Sequence, residues 1–355
     1  MDEYRVRIRD IAQELGLSTA TVSNVIHGKT KKVSEETVKR VQEQLERRQY
    51  IPNMAGILLA QNNSKIIGVV INDHEKYEGH VLEDGFIATS LNALAKEVDR
   101  IGYFLMPKIT SSWQEIPQFA SMWNMVGLVL IGYCNQDYQH LRDEIRVPLV
   151  IYDGTIRDGK RLANLTIDNY GGGCQMGKHF QSLGHEQVLY IADNDTHVDH
   201  LRYEGLRSVI SQSKQMLVPM EQEKRRAFYE ERIVEIAQFT AVFAASDYYA
   251  ADFLYFARSK GIAIPEEMSI AGFDDSFLSR QIHPMLTTIG QDHTARAKLA
   301  VELLIKLREQ EPVGPEILLP VKLIQRNSTG PARTKSLSKK GSVKFPLPSP
   351  SSAPL

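Results

Sequence analysis

From Lys65 onward the chain alternates between two kinds of segment, and that alternation limits its fold more than any other feature. Apolar runs suited to buried strands fall at Ile66–Ile71, Tyr103–Met106, Gly127–Ile131, Leu149–Tyr152, Val188–Ala192, Ala241–Ala245 and Ser269–Phe273. Amphipathic stretches with helical spacing lie between them, at about Phe86–Arg100, Glu115–Trp123, Gly172–Leu183, Tyr203–Ser211, Phe228–Gln238 and Asp247–Ser259. Continuous apolar strands alternating with helices form parallel sheets covered on both faces. The stretch is longer than one such sheet needs, so the expected form is two similar α/β lobes with a cleft between them. Ligands of open α/β sheets bind beyond the carboxyl ends of strands. That rule singles out Asn72, Asp73, Asp153, Asp193, Ser246, Asp247, Asp274 and Asp275.

Composition narrows the class. The 355 residues suggest two or three domains, and 43% hydrophobic with 24% charged residues is ordinary for a globular chain. The net charge of −1 argues against a uniformly basic nucleic-acid binder. It divides unevenly: residues 1–62 carry +2, residues 63–330 carry −8 and residues 331–355 carry +5. An acidic body is expected to stay off nucleic acid and leave contact to the head. The two cysteines, Cys134 and Cys174, make neither a disulfide framework nor a four-thiolate zinc site and fit a reducing cytoplasm. The longest apolar run, about Met125–Cys134, is well short of a membrane span. The first residues show no apolar segment after their charges, so no secretory signal is expected.

The head reads as three short helices. Ile8, Ile11, Ala12 and Leu15 have helical spacing and Gly16 stops the first helix. Ser18 caps a second over Thr19–His27, with Val22, Val25 and Ile26 inward. Ser34 caps a third from about Glu35 to Arg48, striped by Val38, Val41 and Leu45, with Glu35 and Glu36 suited to its amino-terminal dipole. Two short helices joined by a turn and braced by a third make a helix-turn-helix. In that unit the first residues of the second helix face base edges in the major groove. Thr19 and Ala20 occupy those positions, and Asn24 lies one turn later. Ser18, Thr21 and Ser23 are small hydroxyls able to approach phosphates, which set register while base contacts set sequence preference.

After the head, Pro52 suits the start of a short helix across Met54–Ala60, with Asn53 serving its first amides. A helix of about two turns is unstable alone in water and is expected to fold against a partner copy or DNA.

Residues 8–61 resemble the headpiece and hinge of the LacI/GalR (lactose-repressor/galactose-repressor) family. The matching stretches are Arg9-Asp-Ile-Ala, Ser18-Thr-Ala-Thr-Val-Ser-Asn-Val25, Val33-Ser-Glu-Glu-Thr37 and Tyr50-Ile-Pro-Asn53, in order and at the family spacing. The resemblance implies that Ser18, Thr19, Ala20, Thr21, Ser23, Asn24, His27, Tyr50 and Asn53 meet DNA. It also implies that Leu59 wedges into the minor groove, an unstacking that yields a bent duplex with more contact. There are departures: Arg7 stands where a Thr cap is usual, Gly56 where alanine is, and Ile57 where an arginine is. Gly56 lowers helix propensity by about 1 kcal/mol relative to Ala.

The resemblance continues to about Gly330 through Ile167-Asp-Asn-Tyr-Gly-Gly172, Leu183-Gly-His185, Arg202-Tyr-Glu-Gly-Leu206, Ala241-Val-Phe-Ala-Ala-Ser-Asp247, Ile270-Ala-Gly-Phe-Asp-Asp275 and Leu286-Thr-Thr-Ile289. It implies a core with the fold of periplasmic sugar-binding proteins and effector contacts at Asp153, Arg202, Ser246, Asp274 and Gln291. The chemistry agrees: carboxylates accept from vicinal hydroxyls and arginine donates a planar fork. Tyr152, Tyr203 and Phe273 are the candidates for an aromatic wall. Ser246 departs from the commoner Asn, and Gly85 in Asp84-Gly-Phe86 departs from a proline. The stretch from Arg202 to Ser246 is short, which suggests a trimmed strand or loop in the second lobe. Asp274 and Arg202 also admit a structural role, as strand-end caps or an ion pair between lobes.

Other constellations are weaker. Asp193-Asn-Asp-Thr-His-Val-Asp-His200 has metal-ligand residue types but no second distant ligand set, so a solvated loop at the cleft mouth is expected and no metal. Gly171-Gly-Gly173 lacks the Lys-Ser/Thr of a phosphate loop and reads as close packing at a helix start. Nothing marks a catalytic triad, and neither catalysis nor a cofactor is expected.

The expected architecture is α/β: a helix-turn-helix headpiece over residues 1–50, a hinge over 51–63, a two-lobed core with parallel sheets over 64–330 and a disordered basic Ser/Pro-rich tail over 331–355. The expected protein is a cytoplasmic transcriptional repressor that binds a pseudo-palindromic double-stranded DNA operator as a homodimer and answers to a small molecule, a sugar, in the cleft. The alternatives keep DNA binding but replace the sugar with a nucleobase, nucleotide or partner protein, or make the chain a sugar-binding protein or enzyme with an incidental helical head.

Overall fold

The computed structural model describes residues 6–51, 64–133, 144–154 and 161–333. The chain forms two compact units, residues 1–63 and 64–355.

In the first unit α1 (Ile8–Leu15), α2 (Thr19–Ile26) and α3 (Glu35–Arg47) pack around buried Ile11, Ala12, Val22, Val25 and Val41. No cap residue precedes α1, and Asp10 compensates: its carboxylate accepts the Arg7 backbone amide at 2.9 Å. Gly16 closes α1 at φ +67°, where a side chain would be strained, and Leu17 N then donates back to Ala12 O at 2.9 Å. Ser18 and Ser34 cap α2 and α3, accepting from Thr21 N and Thr37 N at 3.1 and 3.3 Å. Glu14 ties α1 to α3, accepting from Gln44 and pairing with Arg48 at 3.3 Å. The hinge positions, including Asn53, Gly56, Ile57 and Leu59, lie outside the described residues, as does the tail from residue 334.

The second unit contains, among the described residues, two six-stranded sheets of matching order. In the first lobe β1 (Ile66–Ile71), β2 (Phe104–Ile109), β3 (Gly127–Ile131), β4 (Leu149–Tyr152) and β5 (Leu162–Ile167) run parallel, with α4 (Gly85–Arg100) and α5 (Glu115–Met122) between them. In the second lobe β6 (Val188–Ala192), β7 (Lys214–Leu217), β8 (Ala241–Ala244), β9 (Ser269–Asp274) and β10 (Thr287–Gln291) repeat that order. Its helices are α6 (Asn169–Ser182), α7 (His197–Val209), α8 (Gln222–Glu231), α9 (Ile233–Ile236), α10 (Asp247–Ser259) and α11 (Phe277–Gln281).

The chain crosses between lobes three times. It leaves the first lobe after β5 and returns after β10, because the apolar residues of α12 (His293–Arg308) join the first lobe's core beside β3, β4 and β5. It then adds β11 (Glu316–Leu319) in parallel to β5 and β12 (Val321–Ile324) antiparallel to β10.

Several elements correct the sequence reading. β5, β7, β10, β11 and β12 were not expected, because polar residues such as Asn164, Thr166, Thr287 and Thr288 interrupt them or they lie at half-exposed edges. The second lobe has lost no strand; β7 is present with four residues. α6 begins three residues early because the Asp168 side chain caps Gly171 N at 2.8 Å. α7 begins at His197, so the supposed solvated loop is partly the first turn of a helix. The helix expected at Phe228–Gln238 is two helices, α8 from Gln222 and α9, parted at Arg232. The triple glycine packs as expected: a β-carbon on Gly173 would stand 2.1 Å from the Arg202 carbonyl oxygen, so α6 and α7 touch backbone to backbone.

Candidate functional site

A cavity of about 610 Å³ lies between the lobes at the carboxyl ends of the strands. Asn72, Asp153, Asp193, Ser246 and Asp274 line it, five of the eight strand-end residues singled out above. Asp247 and Asp275 do not. Asp247 is buried, accepting from Ser276 N at 2.7 Å and Thr288 Oγ1 at 2.6 Å, and Asp275 pairs with Arg326. Asp73 is exposed outside the cavity.

Asp153 and Asp274 end topologically equivalent strands, β4 and β9, each the third strand in its sheet order. Both have left-handed backbone, φ +57° and +112°, which turns each carboxylate off its strand. Each stands by an arginine laid on the preceding aromatic ring. Arg296 lies 4.1 Å from the Tyr152 ring centre and pairs with Asp153 at 2.8 Å. Arg202 lies 3.7 Å from the Phe273 ring centre and stands 4.0 Å from Asp274. The Arg202 and Asp274 partnership is therefore within one lobe, not between lobes.

Gln291 does not line the cavity. Its amide sits behind Asp274, donating Nε2 to Asp274 Oδ1 and accepting from Arg296 Nη1, both at 2.9 Å. Asp153, Arg296, Gln291 and Asp274 thus form one buried polar chain across the lobes. Arg296 also donates Nη2 to Leu165 O at 2.7 Å, and its Nε has no hydrogen-bond partner among the described residues. Nothing about a single arginine in α12 announced this role.

The electrostatics follow from burial. Asp274 is pushed up to about 8 because burial disfavours its charge; Arg202 opposes that, and Asp247 and Asp84 add to it. Burial likewise holds Asp199 above the carboxylate range against the pull of Arg202. Burial would lower the Lys76 ammonium, but Tyr77, Asp193 and Asp84 outweigh it and hold the group well above its ordinary value. Burial and Lys76 push His74 down.

The aromatic wall differs from expectation. Tyr152 lines the cavity and Phe273 supports Arg202. Tyr203 is elsewhere, stacked 5.4 Å from Tyr190 and donating to Ser213 O, because α7 turns it toward β6. Tyr77, Phe86, Tyr133, Tyr248 and Tyr249 line the cavity instead. Tyr249 donates its hydroxyl to Asp193 Oδ2 at 2.7 Å. Ser246, as the α10 cap, accepts from Tyr249 N at 3.4 Å. From the first lobe Glu78 reaches across to accept Gln222 N of α8 at 2.8 Å.

The 193–200 segment is hydrogen-bonded within itself. Asn194 donates to Asp193 at 2.6 Å and Asp199 at 2.7 Å, and His200 pairs with Asp195 at 2.9 Å. Among the described residues no three His, Cys, Asp or Glu converge as a metal site.

In the first unit, Thr19, Ala20 and Asn24 are exposed on α2, with Thr21, Ser23, His27 and Tyr50 half-buried. Ser18, exposed, directs its hydroxyl into the cap. Asn53 and Leu59 lie outside the described residues. No helix among the described residues is long and apolar enough to cross a membrane.

Residues 7–53 match the family described as bacterial regulatory proteins, lacI family, and residues 178–329 match the periplasmic binding protein-like domain. The chain is 27% identical over 335 residues to the HTH-type transcriptional repressor PurR of Glaesserella parasuis, covering 88% of this chain and 94% of that one. Its structure is similar to that of the Lac repressor dimer bound to operator and the anti-inducer ONPF, with TM-score 0.78, 23% identity and coverage of 92% and 99%. A LacI family transcriptional regulator from Enterococcus faecium with bound ribose matches with TM-score 0.64, 22% identity and coverage of 76% and 100%.

Proposed function

We propose that this chain, whose residues 7–53 match the lacI family of bacterial regulatory proteins, is a DNA-binding repressor governed by a small polyhydroxylated effector. The carrying observation is the cavity between lobes, where Asp153 and Asp274 approach from opposite sides and Arg202 and Ser246 stand beside them. Carboxylates accept from hydroxyl pairs, the arginine edge donates, and the aromatic rings give apolar ring faces a surface. Gln291 positions Asp274 instead of touching the ligand.

The exposed start of α2 reads a half-site, with Thr19 and Ala20 toward bases and the neighbouring hydroxyls toward phosphates. A two-fold dimer then reads a pseudo-palindrome. Effector binding shifts the balance between two relations of the lobes, and that shift changes operator occupancy. Typical coupling of about 1–3 kcal/mol changes affinity five- to 150-fold.

The test is a gel shift on the DNA upstream of the gene, followed by a thermal-shift panel of sugars, sugar phosphates and purines. Specific retardation, altered by a sugar that also stabilises the protein, supports the proposal. Absence of specific retardation removes the DNA-binding role. A response to purines alone removes the sugar. A ligand at 100 times its dissociation constant adds about 2.7 kcal/mol, well within detection.

A further inference from the structure

Helix α8 carries three consecutive cations, Lys224, Arg225 and Arg226, and only the middle one is buried. Arg225 is 0% exposed and is not among the residues that line the cavity. Its guanidinium donates on every edge. Nε donates to Asp252 Oδ2 at 2.7 Å, Nη1 to Pro219 O at 3.2 Å and Met220 O at 2.5 Å, and Nη2 to Tyr248 Oη at 3.1 Å. Its central carbon stands 5.3 and 5.0 Å from the Tyr248 and Tyr249 ring centres. Burial works against the charge, and Asp252 and Tyr248 outweigh it.

What Arg225 holds borders the cavity. Met220, Tyr248 and Tyr249 line it, and so does Gln222, which donates Nε2 to the Asp252 carboxylate at 3.3 Å. These residues come from two places in the chain. Met220 and Gln222 lie where the loop after β7 enters α8, and Tyr248 and Tyr249 lie in the first turn of α10. An ion pair that only fastened α8 to α10 needs Asp252 alone. Here the guanidinium also bonds Met220 and Tyr248, which line the cavity, and it stands by the Tyr249 ring. Arginine's planar fork holds several acceptors in one geometry, which a lysine's point charge does not.

We propose that Arg225 is a positioning residue for effector binding: from behind the second lobe's wall it fixes Met220, Tyr248 and Tyr249 where they meet the ligand. This rests on reading the cavity as a polyol site and adds a residue that never touches the ligand. The two tyrosine rings give apolar sugar faces a surface, and a side chain fixed before binding spares the ligand the cost of ordering it. Tyr249 also donates to Asp193 Oδ2 at 2.7 Å, so its setting extends to a carboxylate that lines the cavity.

Urea unfolding and calorimetric titration of the full chain with D-ribose, D-xylose, D-glucose, cellobiose and maltose test this. Arg225→Met alone leaves Asp252 buried without its cation and is expected to lose stability. Two variants avoid that. Arg225→Lys keeps a cation beside Asp252, and Arg225→Met with Asp252→Leu removes both charges. Both are expected to keep most of the wild-type urea midpoint, yet to bind a sugar that the wild-type chain binds about tenfold more weakly. Wild-type affinity in either variant overturns the proposal and leaves the effector reading standing. Affinity that falls only where the urea midpoint falls with it makes Arg225 a packing residue and overturns the proposal as well. No binding of any of these sugars by the wild-type chain removes both readings.

Discussion

Asp153 and Asp274, at the ends of equivalent strands in two lobes, are joined by a chain of two side chains: Arg296, 2.8 Å from Asp153, and Gln291, 2.9 Å from both Arg296 and Asp274. Two carboxylates that face one cavity from opposite sides therefore share a buried polar connection behind it. Removal of either carboxylate is therefore expected to disturb the other through Arg296 and Gln291.

Arg296→Met leaves Asp153 buried without its cation. The expected cost is about 3–5 kcal/mol of stability, read as a lower urea midpoint. Arg296→Met combined with Asp153→Asn is expected to recover part of it, because no lone charge then remains. Additive losses in that double-mutant cycle would separate the two residues energetically.

Stability carries a pH signature from Asp274, raised from 3.8 to about 8, and Asp247, raised to about 7. A carboxyl whose folded value is raised keeps more protons folded than unfolded across that window. Its contribution is full below the unfolded value and is lost as pH rises through the folded one. Urea midpoints of the wild-type chain should therefore fall between about pH 5 and pH 8.5, and Asp274→Asn should flatten part of the fall. An unchanged slope in that variant would assign the decline to other groups.

Gly173→Ala places a β-carbon 2.1 Å from the Arg202 carbonyl oxygen, which is backbone and cannot swing away. Helices α6 and α7 must part. The expected loss is about 1–3 kcal/mol in thermal or urea unfolding, with weaker effector binding because Arg202 moves with α7.

Substitutions at Thr19 or Ala20, exposed on the first turn of α2, should change which operator bases are preferred. Affinities measured on a set of single-base operator variants read this directly, at about 1–3 kcal/mol per discriminating contact. A uniform loss on every sequence would instead make these residues backbone contacts.

Leu59→Ala, at the hinge position implied to wedge the minor groove, should weaken specific operator binding and leave effector titrations unchanged. Unchanged operator affinity in a filter-binding or anisotropy titration rules out the wedge.

The strongest periodic signals were the legible ones. The first unit's caps at Ser18 and Ser34 and its apolar stripe appear in the helices where their spacing puts them. The central strands β1, β3, β4, β6, β8 and β9 were legible because strands covered on both faces are written as unbroken apolar runs. Edge strands such as β7 and β11 mix exposed and covered residues over only four positions, too few for a period to stand out. α12 was missed for a different reason. Its buried Arg296 sits among Ala297, Ala300, Val301, Leu303 and Leu304, and local pattern does not reveal that a charged residue is buried.

The sequence by itself determined the helix-turn-helix order, the two-lobed α/β architecture and the strand ends where acidic residues collect, because spacing, capping and hydrophobic runs act locally. Only the tertiary structure decided that Asp153 and Asp274 share a cavity, that Gln291 stands behind Asp274, and that Tyr249 replaces Tyr203 on the wall. It also decided that Arg296, 143 positions from Asp153 in the chain, supplies that residue's cation. Those relations depend on three crossings between lobes and on the packing of α12 against the first. Burial then sets the charge of each carboxylate, and burial is a property of the assembled fold, which no local run of residues encodes.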